Sequence, residues 1–278
     1  MTRCSIAALA AVACCAHLTI AQGNLYLSVA DNIGNEINGF GPFTDNDLVQ
    51  TTPGGIASGI YYSLTAGDLD AFDVLANGHY IMSSLFNGNT GTEIFDDGDL
   101  VEYDPGTGLI VGNYLGIGNS AFQNSGVDIT AATTDAQGNL YFSILSDNVL
   151  NHAGGSLAMT DGDIVKVDAA TGIASIFISE ADLWDDGDSD VYGLHWMGDG
   201  TMLITSSFDE MVDGTMYLDG DIFRYDIAAG TASMFFSEAN FTDGINSHDV
   251  DAIYYRVPTP ASALVLGGMG LLGVRRRR

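Results

Sequence analysis

The feature that most constrains the fold of this chain is an internal repeat of four short strands. In its clearest copy, residues 128–134 form the first predicted strand, and a tight turn leads to the second at residues 139–143. Asp161-Gly162-Asp163 opens the third strand, and a turn at residues 168–172 leads to the fourth. The strands are rich in β-branched and aromatic residues, whereas the turns are rich in Gly, Asp and Asn. A unit repeated at a period of about 58 residues indicates a repeat architecture.

The second and third strands recur in the same order along the chain. Every copy of the second strand ends on Ser or Thr, and every copy of the third begins with closely spaced aspartates. The second strand is predicted at residues 24–28, 79–83, 139–143 and 201–205, and the third at residues 45–49, 97–101, 161–165 and 219–223. Four ordered copies predict four equivalent structural units.

The first strand differs from the others because its fourth copy lies at the far end of the body. Copies occur at residues 68–74, 128–134 and 190–196, none precedes residue 24, and the last covers residues 249–255. In a ring, such a C-terminal strand completes the N-terminal unit and hides two strand edges. Small residues align in this strand, as expected for strands crowded around an axis: Ala71, Ala131, Gly193 and Ala252.

We therefore predict an all-β fold, a four-bladed β-propeller whose C-terminal strand closes the first blade. The alternative is another repeat-built antiparallel β architecture, such as a linear stack or a sandwich. Tight turns are predicted on one face of the ring and long loops on the other. Because functional residues are concentrated on loops held by a rigid scaffold, the long-loop face is the candidate functional face.

The charge distribution restricts the partners of this chain. Hydrophobic residues make up 46% of the sequence, which is enough for a substantial core. All 36 acidic residues lie between the termini, where the only basic residues are Lys166, Arg224 and Arg256. Such a surface repels nucleic acid and anionic membranes, and it attracts divalent cations.

The N-terminus predicts an export signal at residues 1–21. Arg3 precedes an apolar run over residues 6–15, and small residues lie before Gln22. All three cysteines lie within this signal, so the mature body, residues 22–257, is predicted to have no disulfide. A lipoprotein signal ending at Cys14 is the less favoured alternative, because Ala11 stands where a large aliphatic residue is usual.

The C-terminus, residues 258–278, has three parts in sequence. Pro258-Thr259-Pro260 precedes an uncharged apolar segment at residues 261–274, and four arginines follow, Arg275, Arg276, Arg277 and Arg278. As a helix the apolar segment would extend about 21 Å, short of the roughly 30 Å hydrocarbon core. This pattern predicts transient membrane insertion followed by removal of the tail.

This tail resembles the PEP-CTERM sorting signal of exosortase substrates, in which a Pro-Glu-Pro motif precedes an apolar helix and a basic end. The chain departs from that motif at Thr259, where the family usually has Glu, which leaves the exosortase subtype open. The resemblance implies export, transient anchoring in the inner membrane and processing by an exosortase-like enzyme. It also implies a final location at the cell surface or in extracellular polysaccharide, but no reaction.

Aspartates are predicted to gather on the long-loop face. They lie at the start of the first strand and at the mouth of the third, and carboxylates crowded together require protons or a cation. Oxygen ligands without sulfur or clustered histidine suit Ca²⁺ better than zinc or copper. The predicted ligands are Asp68, Asp70, Asp97, Asp99, Asp128, Asp161, Asp163, Asp188, Asp190, Asp219, Asp221, Asp249 and Asp251. The alternative is that Asp-Gly-Asp serves only as turn chemistry and as a solubilising surface.

Catalytic motifs are lacking in the sequence. It has no Gly-x-Ser-x-Gly elbow, phosphate loop or dinucleotide fingerprint. His79, His152, His195 and His248 fall at unmatched positions of the repeat, and only His248, beside Asp249, is a candidate for testing. The two tryptophans are candidates to stack on sugar rings: Trp184, in a polar loop, is expected to be the contact, whereas Trp196 is expected to be buried between blades.

Two functions follow from these observations. The first is a non-catalytic exported protein at the cell surface or in the extracellular matrix that binds calcium and a polysaccharide or a surface protein. The alternative is a calcium-dependent propeller hydrolase of the lactonase or phosphoesterase type. Such enzymes break their internal symmetry at the metal, whereas the aspartates here repeat almost uniformly, which favours binding over catalysis.

Overall fold

The protein is a four-bladed β-propeller. Its structure is a computed structural model that describes residues 23–30, 34–124, 126–185, 189–243 and 248–257. Each blade is an antiparallel sheet of four strands, counted here from the central axis outward. Blade 1 comprises Val250–Arg256, Asn24–Val29, Asp47–Thr51 and Gly59–Ser63, and blade 2 comprises Leu69–Val74, Tyr80–Ser84, Val101–Asp104 and Leu109–Asn113. Blade 3 comprises Ala131–Thr134, Leu140–Ser143, Ile164–Val167 and Ala174–Ile178, and blade 4 comprises Val191–Trp196, Thr201–Ser206, Ile222–Asp226 and Thr231–Phe236.

A two-stranded hairpin extends from each blade between its second and third strands. The four hairpins pair Asn35–Ile37 with Phe40–Phe43, Gly88–Asn89 with Ile94–Phe95, Asn148–His152 with Gly155–Met159, and Glu210–Val212 with Thr215–Tyr217. Helical structure in the described residues consists of one α-helical turn, Glu180–Leu183, and three 3₁₀ turns, Tyr114–Gly116, Asn119–Ala121 and Glu238–Asn240. The hairpins therefore account for most of the predicted long loops.

The predicted closure of the ring is confirmed. Val250–Arg256 pairs with Asn24–Val29 in an antiparallel register that places Tyr254 opposite Tyr26 and Ile253 opposite Leu27. The N-terminal strand thus has a neighbour on each side, because it also pairs with Asp47–Thr51. Closure saturates edge hydrogen-bonding groups that would otherwise be exposed.

The hydrophobic core consists of four buried clusters, each formed by residues of two neighbouring blades. The inner strands approach one another closely at the axis. A β-carbon on Gly193 would lie 2.3 Å from the carbonyl oxygen of Asp251 and 2.6 Å from Oγ1 of Thr205. Ala71, Ala131 and Ala252 are also buried at the matching positions. Small residues are needed here because larger side chains would force the inner strands apart.

The two tryptophans occupy positions that differ in part from those expected. Trp196 is half-buried and stacks on Tyr141, with ring centroids 4.9 Å apart and an interplanar angle of 10°. Trp184 is buried as well, at 2% exposure, and packs edge-on against Phe223. The expectation that Trp184 contacts a ligand is therefore wrong, because apolar packing between loop and blade outweighs the polar character of its neighbours in sequence.

The predicted export signal and the C-terminal sorting tail, including Pro258, Thr259, Pro260 and the four terminal arginines, lie outside the described residues. Within the described ranges, the structure contains no helix of the length and apolar character that crossing a membrane requires.

Candidate metal centre and axial cavities

Three positions of the inner strand, counted from its aligned small residue, supply residues to the two cavities on the axis, and the four residues at each position are called a ring here. Three residues before the small residue, the first ring is Asp68, Asp128, Asp190 and Asp249. One residue before it, the second ring is Asp70, Thr130, Tyr192 and Asp251. Two residues after it, the third ring is Asp73, Thr133, His195 and Tyr254. The fourfold repeat is therefore uniform in the first ring and broken in the other two.

Shifts in strand register change the direction of side chains in the second ring. The pairing register shifts between Leu69 and Ala71 in blade 2, and between Val191 and Gly193 in blade 4. A similar shift occurs in the closing strand, where Leu27 pairs with Ile253 but Val29 pairs with Val250. A β-bulge leaves one residue unpaired and redirects its side chain. Asp70, Tyr192 and Asp251 lie at or beside these shifts.

Three carboxylates of blades 1 and 2 converge at the long-loop end of the axis. Ligand oxygens of Asp68, Asp70 and Asp251 all lie within 4.8 Å of one another, and all three residues are buried. They line a cavity of about 70 Å³ together with Asp128 and Asp249. Ala30, Leu85, Thr130 and Tyr192 complete its wall. A cavity of this volume has room for a metal ion with a few water molecules.

The electrostatics of the cavity disfavour ionised carboxylates. Burial raises the pKa of Asp70 well above its usual value, and the charges of Asp128, Asp251 and Asp68 raise it further. Burial also raises the pKa of Asp128 to about 6. No basic side chain lines this cavity among the described residues. The cluster therefore retains protons unless a cation neutralises it.

The donors in the cavity fit a hard cation. Oδ2 of Asp70 is buried and receives no hydrogen bond within the described part of the chain. The Thr130 hydroxyl donates to the carbonyl oxygen of Val191 at 2.6 Å, so it supports the wall. The donor set is therefore made of carboxylates, which Ca²⁺ binds at 2.3–2.6 Å in flexible geometries of about six to eight ligands.

The second aspartate of Asp-Gly-Asp in blades 3 and 4 stabilises a turn. Asp163 accepts hydrogen bonds from the amides of Thr160 and Glu180, both at 2.9 Å. Asp221 accepts from the amides of Leu218 and Glu238, at 3.0 and 2.8 Å. These carboxylates connect the turn before the third strand to the loop that leads to the next blade. The third strands consequently begin later than predicted, at Ile164 and Ile222 in blades 3 and 4.

The other predicted ligands among the described residues are not members of the central cluster. Asp99 accepts a hydrogen bond from the Asn119 amide, and the charge of Asp97 acts on Asp128. Asp161 and Asp219 accept from the amides of Gly162 and Gly220. Burial raises the pKa of Asp190 to about 6, and the neighbouring Asp161 adds to the shift. Asp188 lies outside the described residues.

His248, the one histidine singled out from the sequence, does not line the axial cavity. It is fully buried and stacks on Phe241, with ring centroids 4.2 Å apart. Its Nε2 lies 3.1 Å from Oδ1 of Asp243, and its backbone amide donates to Glu238. These contacts give His248 a structural role in the loop before the closing strand.

Sequence reasoning missed a second cavity, at the tight-turn end of the axis. It has a volume of about 330 Å³, and Asp73, His195 and Tyr254 of the third ring contribute to its wall. The repeat does contain a signal for this cavity, because these three residues occupy the same aligned position in their copies. It was overlooked because the four residues of that ring differ in type.

Comparisons with known proteins add little to this description. No family model matches the chain, and no curated protein matches it in sequence. Among solved structures, the chain is similar to an auxiliary nutrient binding protein from Bacteroides ovatus, with 13% identity and a TM-score of 0.32. The alignment covers 76% of this chain and 49% of that protein, so it spans about half of the other chain's length. A likeness this distant carries no argument about function.

Proposed function

We propose that this protein is an exported, calcium-binding propeller that acts as a non-catalytic binding protein at the cell surface or in the extracellular matrix. The observation that carries the proposal is the convergence of Asp68, Asp70 and Asp251 in a cavity that no basic side chain of the described residues lines. Burying several carboxylates together is costly unless a cation compensates them. The partner stays a prediction: a polysaccharide or another surface protein, as the resemblance of the C-terminal tail implies.

Calcium is the ion that this donor set favours. Three carboxylates supply up to six oxygens, and Asp128 and Asp249 lie in the same cavity wall. Zinc and copper sites usually include imidazole or thiolate ligands, whereas no histidine or cysteine lines this cavity in the part of the chain that the structure describes. Mg²⁺ requires nearly ideal octahedral geometry and usually retains several waters, which suits a narrow cage of carboxylates less well.

One observation favours the alternative function, a calcium-dependent hydrolase. The second ring places Thr130 and Tyr192 where blades 2 and 1 have aspartates, so the symmetry is broken beside the cluster, against the uniformity expected from sequence. However, a cavity of about 70 Å³ has little space for an organic substrate as well as an ion. Calcium-dependent turnover of lactone or phosphoester substrates would establish the hydrolase function instead.

Calcium is expected to raise the melting temperature, and more strongly at neutral than at acidic pH. The folded-state pKa values of Asp70 and Asp128 are raised, so above the unfolded-state pKa of about 3.9 the folded state binds more protons. Metal-free stability therefore falls as pH rises toward the folded pKa of Asp128, about 6. Calcium at about 100 times its Kd would add about 2.7 kcal/mol, or about 5–10 °C, at about pH 7.5.

The measurement is the difference in melting temperature with calcium and with chelator at each pH. This difference separates the calcium effect from other titrations. Asp190 and Glu238, whose pKa values are raised to about 6 and about 7, also make the stability of the metal-free protein depend on pH. Mg²⁺ at equal concentration controls for general screening of the acidic surface. An equal response to Mg²⁺ and Ca²⁺, or a calcium effect that does not grow with pH, would contradict the proposed site.

Export and processing are tested by the mass of the mature protein. We expect a polypeptide that begins near residue 22 and ends before the apolar segment at residues 261–274, because the signal and the tail are both removed. Intact-mass measurement of material outside the inner membrane checks this expectation. A mature protein that retains the apolar segment and Arg275–Arg278 would exclude the sorting function of the tail.

A further inference from the structure

The hairpin of blade 4 presents apolar side chains to solvent. Met211 and Met216 lie directly opposite each other in its two strands, and they are 38% and 53% exposed. Opposed residues of an antiparallel pair point to the same face, and so do residues two apart in one strand. Leu218, two residues after Met216, is also exposed. Met211, Met216 and Leu218 are called the hairpin patch here.

The opposite face of this hairpin is fixed to the blade. Val212 and Tyr217 are buried, and the Tyr217 ring packs against Phe223 of the third strand, with centroids 4.8 Å apart. At the tip, the Gly214 amide donates to Oδ2 of Asp185 at 2.8 Å. An antiparallel pair that packs on one face usually has polar residues on its solvent face. The hairpin patch departs from this rule.

The hairpin of blade 3 follows the rule at the matching position. Its second pair from the tip is Asn151 opposite Ser156, where blade 4 has Met211 opposite Met216. Both polar residues are exposed, and the Ser156 hydroxyl donates to Oδ1 of Asn151 at 3.0 Å. The fold therefore does not require apolar residues here. Methionine side chains are flexible and polarisable, and they are common on surfaces that bind other proteins.

Three carboxylates lie beside the hairpin patch. Asp209 and Asp213, at the base and the tip of the hairpin, are exposed, and so is Asp185, which bonds the tip. Oδ1 of Asp209 accepts from the Asp219 amide at 3.3 Å, which holds this carboxylate next to the hairpin. Residues 208–219 include no basic residue. The hairpin therefore combines an apolar face with negative charge.

We propose that the hairpin patch binds a basic amphipathic helix of a partner protein. The apolar face of such a helix covers the two methionines and the leucine, and its Lys or Arg side chains pair with the three carboxylates. The proposal rests on the proposed binding function and names its partner class: a surface protein with a cationic, amphipathic segment.

Other occupants match the hairpin patch less well. A second copy of this chain would bring Asp209 and Asp213 against the same carboxylates, and like charges across an interface disfavour association. Nucleic acid and anionic membranes are repelled by the acidic surface. A neutral polysaccharide has no charge with which to pair the carboxylates. The charge of the surface therefore favours a cationic protein segment.

Fluorescence anisotropy with labelled synthetic peptides tests this surface on the purified protein, with calcium and with chelator. The probe is a Leu/Lys peptide whose leucines share one helical face. One control has the same residues in scrambled order, and another replaces every Lys with Glu. We expect the probe to bind about tenfold more tightly than the scrambled peptide, because only the probe has an apolar face. The Leu/Glu peptide should not bind.

Met211→Asn combined with Met216→Ser gives blade 4 the polar pair of blade 3. This double variant is expected to bind the probe about tenfold more weakly, because it loses apolar surface that the helix would cover. Met234→Ser is the matched control, since Met234 is 49% exposed in the outermost strand of the same blade. It should bind as wild type does. Melting temperature verifies that both variants are folded.

Asp70→Asn changes the axial cavity and should leave peptide binding unchanged. Failure of the calcium proposal and failure of this one can therefore be told apart. Equal binding of the probe and the scrambled peptide, equal binding of the probe to wild type and the double variant, or no binding would each overturn the proposal. Dimerisation of wild type that the double variant loses would also overturn it, because the occupant would then be a second copy.

Discussion

Replacing Asp70 with Asn is expected to have opposite effects on the metal-free and calcium-bound protein. Without calcium, the variant should melt about 2–4 °C higher than wild type, the shift that about 1 kcal/mol produces in a domain of this size. The gain arises because burial and the charges of Asp128, Asp251 and Asp68 make the Asp70 carboxylate unfavourable. Asparagine has nearly the same shape and no charge to bury.

With calcium, the same variant should lose the stabilisation. Asp70 supplies one of the three buried carboxylates whose oxygens lie within 4.8 Å of one another, so its loss removes a principal ligand. We expect calcium affinity to fall about 30–100-fold, equivalent to about 2–3 kcal/mol. Calorimetric titration measures the calcium affinity. Thermal melts show whether the variant is more stable than wild type with chelator and less stable than wild type with calcium.

Asp147→Asn is the matched control, because Asp147 is exposed and does not line the axial cavity. It removes the same charge from the acidic surface and should change neither the metal-free melting temperature nor the calcium response. If Asp70→Asn lowered metal-free stability and kept the full calcium effect, the cluster would be a hydrogen-bonded structural feature and not a metal centre.

Replacing Ile253 with Ala is expected to cost about 4 kcal/mol of unfolding free energy, or about 8–15 °C in melting temperature. Ile253 is 1% exposed in the closing strand and lies opposite Leu27 in the N-terminal strand. Its side chain also lies 3.3 Å from where a β-carbon of Gly193 would be. The substitution therefore opens a cavity at the junction of blades 4 and 1, where the ring is closed.

Ile60→Ala provides the comparison within the same blade. Ile60 lies in the outermost strand, Gly59–Ser63, and is 49% exposed, so the same loss of methyl groups should cost less than about 1 kcal/mol. Urea denaturation of both variants measures the difference. Similar costs at the two positions would mean that closure by the C-terminal strand contributes little to stability.

Much of the fold could be predicted because the relevant signals are local. Turn residues, alternating strands and the aligned small residue of each copy define a blade, and these features do not depend on distant contacts. The displaced fourth copy at residues 249–255 then leaves few arrangements other than a ring. The pairing of Tyr254 with Tyr26 agrees with that reasoning.

The candidate site was predicted less completely. Asp-Gly-Asp repeats as regularly as the first-ring aspartates, so sequence alone gave no reason to separate them. In the structure, the carboxylates of Asp163 and Asp221 accept hydrogen bonds from backbone amides of their own turns. Asp70 instead lies in the axial cavity, beside a shift in strand register. Trp184 was misjudged for a related reason: its polar neighbours in sequence do not indicate that Phe223, in the third strand of blade 4, packs against it.

By itself, the sequence determined the number of blades, their strand order and the way the ring closes, because periodic strand and turn signals are repeated four times. Only the tertiary structure decided which carboxylates share a cavity and that His195 faces Asp73 at the other end of the axis. The physical reason is that these pairs come from different blades. Their separation depends on single-residue shifts of the inner strands, which the repeated strand and turn signals do not reveal.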